Sequence, residues 1–144
     1  MSACGSDGDD ARRHGDGVGR PRAREAPHRD GQPLVGGQGR VPLVARMPGG
    51  IWDASAAQHS QSLEAWFAHL PGLVVVCPST PQDNYSLLRA ALQSGDPVVY
   101  IEHKTLWGSQ GPVDEALAVP LGQAAVRRRG SALTMVSWSR QALL

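Results

Sequence analysis

Few residues in this 144-residue chain combine a reactive side chain with a setting that leaves it usable. His59 is the clearest. It stands in "AAQHSQS", among small and polar residues. Imidazole titrates close to neutral pH, so a histidine in such a setting suits proton transfer to or from a bound molecule. A polar loop histidine with no chemistry is the competing reading of the same residues. His69 and His103 read as structural. His69 stands beside the helix stop Pro71-Gly72, where a cation favours a helix C-terminus, and His103 ends an apolar run. Cys77 closes the run "LVVVC" and Cys4 lies far from it, so no disulfide framework follows.

These groups must be positioned by an alternating pattern of strands and helices. "RVPLVARM", Arg40 to Met47, reads as a buried strand closed by the turn Pro48-Gly49-Gly50. Leu63, Trp66, Phe67 and Leu70 have helical spacing within Ser60 to Leu70. "LVVVC", Leu73 to Cys77, is a continuous β-branched run of the kind found in parallel strands covered on both faces. Thr80-Pro81 then opens a helix that carries Tyr85, Leu87, Leu88, Ala91 and Leu92 on one side and ends near Ser94-Gly95. "PVVYIEH" is a third strand and "ALTMVSW", from Ala132, a fourth. The fold class is therefore α/β, a mostly parallel sheet with flanking helices joined by right-handed crossovers. Ligands of such sheets gather at the carboxyl ends of the strands. The loop from Met47 to Ser62, with His59 in it, follows one of those ends.

Composition narrows the function classes. Residues 1–40 hold nine of the 17 glycines and seven of the 14 basic side chains, and no aromatic residue. Such a segment cannot bury enough apolar surface to offset its ordering entropy, so residues 1–35 are expected to be a disordered head. The net charge of +1 gives no electrostatic case for nucleic acid. Thirteen of the basic residues are arginine and Lys104 is the one lysine, which points to a GC-rich coding sequence rather than a binding surface. No secretory apolar segment and no run near the ~20 residues of a membrane span is found, and a reducing cytoplasm is the expected compartment.

Four separated segments, "VPLVARMPGG", "AAQHSQSLEAWFAHLPGLVVVCPSTPQDNYSLLRAAL", "DPVVYIEHKTLW" and "VPLGQAAVRRRGSALTMVSWSR", resemble in that order the beta subunit of thiamine-diphosphate-dependent 2-oxo acid dehydrogenases of the pyruvate, branched-chain and acetoin type. The resemblance implies that residues 36–138 are the second half of a transketolase-like pyrimidine-binding domain, with 139–144 starting a linker to a further domain. It implies oxidative decarboxylation of a 2-oxo acid, pyruvate foremost, with acyl transfer to a lipoyl carrier. The expected partners are an alpha subunit, which shares the thiamine diphosphate and holds its magnesium, and a lipoyl acyltransferase core. His59 matches the family's active-site histidine in its "QHS" motif.

The same resemblance implies a potassium site at Leu43, Ala91, Leu92, Ser94 and Asp96. Backbone carbonyls supply most of its oxygens, so residue identity carries little information there. Ser94 stands where the family often has an aspartate, and a plain helix-to-strand turn accounts for "SGDP" equally well. Gly15-Asp16-Gly17 looks like the start of a thiamine-diphosphate motif. The asparagine that should follow is missing, since the first asparagine is Asn84 and "RVPLVARM" offers no oxygen side chain to a hard cation. The residues before Gly36 resemble none of the family, including its catalytic glutamate. The expectation is a frameshifted or truncated reading frame with a foreign head, inactive alone. A non-catalytic module reusing half of the domain, or another transketolase-like thiamine enzyme, are the alternatives.

Overall fold

The computed structural model describes residues 40–144. The expected disordered head, Cys4 and Gly15-Asp16-Gly17 lie outside the described residues.

Strands β1 (Val44–Gly49), β2 (Val74–Val76) and β3 (Val98–His103) form one parallel sheet in the order β1-β3-β2. Val44 to Gly49 lie opposite Val98 to His103, and Val74 to Val76 lie opposite Val98 to Tyr100. Helix α1 (Glu64–Ala68) links β1 to β2 and helix α2 (Pro81–Leu92) links β2 to β3. The first connection crosses the sheet in one direction and the second returns, so right-handed crossovers put the two helices on opposite faces.

The sequence explains α2 locally. Thr80 is extended and its hydroxyl accepts from the Asp83 N–H at 3.0 Å, while the Asp83 carboxylate accepts from the Thr80 N–H at 3.2 Å. With Pro81 at the first turn, this capping box satisfies helix-end donors that nothing else would reach. Leu87, Leu88 and Ala91 then pack on Val76, Val98 and Tyr100, which form the core with Val44, Val74 and Leu121. Tyr100 is fully buried, and its hydroxyl proton is shared between the Asn84 carbonyl at 3.0 Å and the Asn84 side-chain oxygen at 2.9 Å. An extended segment straps the outer side of α2. Gln82 exchanges hydrogen bonds with the Asp114 backbone, the Ser86 hydroxyl donates to Leu117 O, Arg89 donates to Glu115 O, and Arg127 pairs with Asp83 at 2.7 Å.

Several expectations change. The ladder runs through Pro48 and Gly49, so the turn begins only at Gly50. Proline is tolerated there because β1 is an edge strand of this sheet. The run "LVVVC" forms a three-residue strand at an edge of this sheet, paired along one side only, because β3 takes the central place. Helix α1 is shorter than Ser60 to Leu70, and Trp66 and Leu70 face solvent. Its first residue has no side-chain cap, which delays the start. The fourth strand does not form. Residues 132–138 have no ladder partner among the described residues, and Met135 is 85% exposed. Apolar β-branched composition favours a strand only where a neighbouring backbone is available.

Candidate functional site at the carboxyl ends of the strands

All three strands end on one edge of the sheet, and the loop that follows β1 carries His59 there. Gly50 opens that loop with a φ of +74, and its N–H donates to the Gln61 carbonyl at 2.8 Å. The bond closes residues 50–61 at their base. Inside, both the Ser55 N–H and its hydroxyl donate to the Trp52 carbonyl. Asp53, Ala54 and Ala56 have φ values of 38, 51 and 63. A left-handed conformation costs an L-residue about 1–2 kcal/mol, and alanine has no polar side chain to compensate. Strain of this kind collects at functional loops. Past Ala56 a short 3-10 turn, Ala57–His59, presents an exposed His59 imidazole.

Aromatic side chains join this loop to the one after β3. Trp52 and Trp107 meet edge to face, with ring centroids 5.6 Å apart at 63°, and both remain about half exposed. Between the strands, Arg46 of β1 pairs with Glu102 of β3 at 2.8 Å.

His103 occupies the inner side of the same edge and is 6% exposed. Its Nδ1 accepts from the Thr105 N–H at 3.3 Å and lies 2.8 Å from the Thr105 hydroxyl. The proton of the neutral ring therefore sits on Nε2. Burial lowers its pKa, the positive charges of Arg140 and Lys104 add to that, and Glu64 opposes it. Cys77, at the end of β2, is pushed up to about 12 by burial, with Glu64 adding to the effect, so it is an inert thiol at neutral pH.

The five positions assigned to potassium gather at the opposite edge, where β1 and β3 begin. Leu43 O accepts from the Val98 N–H at 2.8 Å, Ala91 O from the Ser94 N–H at 3.1 Å, and the Ser94 hydroxyl from the Asp96 N–H at 3.1 Å. Carbonyl and hydroxyl oxygens keep a second lone pair, so this donor set suits a weakly held hard cation. Arg40 brings a fixed positive charge to the same turn, because a β-carbon built on Gly95 would lie 3.3 Å from its Nη1. Among the described residues, no group of three or more His, Cys, Asp or Glu side chains comes together to hold a metal. Likewise, no helix among them is long and apolar enough to cross a membrane.

The structure thus puts the loop of His59 at the carboxyl ends of the strands and the potassium positions at the opposite edge. His69 ends up as the C-terminal cap of α1. Sequence reading missed the Trp52–Trp107 contact and the packing of His103 under the loop. Both join residues far apart in the chain, and neither leaves a local signal.

A family model described as "transketolase, pyrimidine binding domain" matches residues 34–110. The beta subunit of the mitochondrial pyruvate dehydrogenase E1 component of Caenorhabditis elegans is 47% identical over 112 residues, covering 74% of this chain and 32% of that protein. The beta subunit of acetoin:2,6-dichlorophenolindophenol oxidoreductase of Cupriavidus necator is 45% identical over 106 residues, covering 73% and 31%. The pyruvate dehydrogenase E1 beta subunit of Rickettsia felis is 40% identical over 112 residues, covering 77% and 34%. The chain spans about a third of the length of these curated relatives.

Proposed function

The chain belongs to the transketolase pyrimidine-binding domain family, and from that premise we propose that it forms the second half of this domain in the beta subunit of a cytoplasmic 2-oxo acid dehydrogenase, with pyruvate the favoured substrate. The observation that carries this reading is the exposed His59 imidazole on a closed, strained loop at the carboxyl ends of parallel strands. Pyruvate dehydrogenase and acetoin oxidoreductase beta subunits among the relatives support the reaction class.

Thiamine diphosphate, when bound between this subunit and an alpha subunit, supplies the carbon nucleophile that decarboxylates the 2-oxo acid. His59 holds and moves a proton at its imidazole beside the reacting atoms. The contact of Trp52 with Trp107 ties this loop to the one after β3. The base-closing bond from Gly50 to Gln61 fixes the loop, so the imidazole approaches from one direction. The alpha subunit holds the magnesium and diphosphate, and a lipoyl acyltransferase core receives the acyl group. Leu43, Ala91, Leu92, Ser94 and Asp96 would hold a potassium ion that braces the turn from α2 to β3. Being on the far edge, they take no part in the chemistry. Without the alpha subunit these residues are one wall of a site, and the chain alone is inactive.

The test is His59→Ala in the complex assembled with an alpha subunit. Turnover falls by about 10²–10⁴-fold with the circular dichroism spectrum unchanged. Unchanged turnover overturns the reading and leaves a non-catalytic module, or a different thiamine enzyme, in its place. Calorimetric titration of thiamine diphosphate and magnesium into the chain alone, repeated with the alpha subunit, checks the shared site. Low-micromolar binding by the chain alone would contradict it.

A further inference from the structure

We propose that His103 is the positioning residue of the His59 loop, its buried imidazole serving as the floor on which Gly50 rests. This rests on the reading of His59 given above. A β-carbon built on Gly50 would lie 2.3 Å from both Cδ2 and Nε2 of His103, so the ring fills the space beneath that residue. Gly50 is also where the loop closes, through its N–H to the Gln61 carbonyl. The ring cannot swing away freely. Its Nδ1 is held by the Thr105 N–H and hydroxyl, and the C-terminal 3-10 turn Ser139–Leu143 packs against β3, with Ser139 buried.

Three things therefore meet at one point: the end of β3, the root of the loop, and the bond that closes it. Gly50 must be glycine on two counts, since its φ is +74 and the ring leaves no room for a side chain. Ile101 acts in the same way one residue earlier, its Cγ2 lying 2.5 Å from a β-carbon built on Gly49. Central-strand side chains thus press on the last residues of β1 and set the angle at which the loop departs. The contact of His103 is with the loop's root, so it acts through His59 and not on the substrate.

Amide hydrogen exchange in the full chain separates this role from general stability. The Gly50 amide, bonded to Gln61 O, reports the loop base, and the Val98 amide, bonded to Leu43 O, reports the sheet. In His103→Asn, which keeps an acceptor near Nδ1 and loses the Nε2 edge, Gly50 should exchange at least about tenfold faster while Val98 is unchanged. His103→Gln, which restores a polar group near the Nε2 position, should recover part of the protection. Unchanged Gly50 exchange in His103→Asn, or equal acceleration at Gly50 and Val98, overturns the proposal. In the complex with an alpha subunit, His103→Asn should lower kcat with KM little changed. Selective opening of Gly50 with kcat unaffected, while His59→Ala abolishes turnover, also overturns it. If instead His59→Ala leaves turnover intact, the reading of His59 fails, and the exchange result stands apart from that failure.

Discussion

Helix α2 and the loop of residues 50–61 both leave the carboxyl ends of strands in the same sheet, yet their order has different sources. The helix is over-determined: a capping box at Thr80, a proline at its start, an apolar side on Tyr100 and Val98, and a strap from Asp114 to Arg127. The loop has one closing bond, an aromatic contact, the His103 floor and three strained residues. Removing one support from the helix leaves the others. The loop has little redundancy, and that is the condition in which a small shift at its base reaches His59.

That contrast breaks most visibly at Tyr100. Tyr100→Ala removes the largest fully buried side chain from between α2 and the sheet. It should cost about 3–5 kcal/mol in urea denaturation, and a loss below about 1 kcal/mol would show that the helix side is not the stable half. Thr80→Ala should cost about 1 kcal/mol by the same measurement, since it removes one half of the capping box. A loss near 3 kcal/mol would mean that α2 lacks the redundancy described.

The loop should respond in the opposite direction. Ala56→Gly relieves an alanine at φ 63 and ψ 176, a region open essentially to glycine alone, and the gain is offset by glycine's greater freedom when unfolded. Net stabilisation of about 0.5 kcal/mol is expected in thermal unfolding, together with a weaker hold on His59. Destabilisation by Ala56→Gly would show that the strain is not stored there.

The smallest effect is that of pH. The groups around His103 are Glu64 from α1, Lys104 beside it, and Arg140 from the C-terminal turn, and burial with the two cations outweighs the carboxylate. Its folded pKa lies below the ordinary imidazole value, so the unfolded chain binds the proton more readily. The stability it contributes is complete above about pH 6.5 and is lost as the pH falls below that value. His103→Asn should flatten that part of a stability-against-pH curve measured by urea denaturation. An identical slope in the variant would place the titration elsewhere.

The features legible in the sequence are those that neighbours along the chain decide. Thr80, Pro81 and Asp83 specify the start of α2 by hydrogen bonds within one turn, and Val98 to Ile101 mark a buried strand by composition alone. The family was legible from ordered motifs, and His59 was legible as a loop residue after a strand. Pairing was not. "ALTMVSW" and "PVVYIEH" are both mainly apolar seven-residue runs, but only the second lies between two other strands, and the first stays outside the sheet with Leu133 and Met135 exposed. A strand's hydrogen bonds are made to another segment, so local apolarity can permit a strand without forming one. The place of His103 under Gly50 is of the same kind. It depends on the register that sets Gly49 opposite His103 and on where the backbone turns next, and both are fixed only when distant segments meet in the folded sheet.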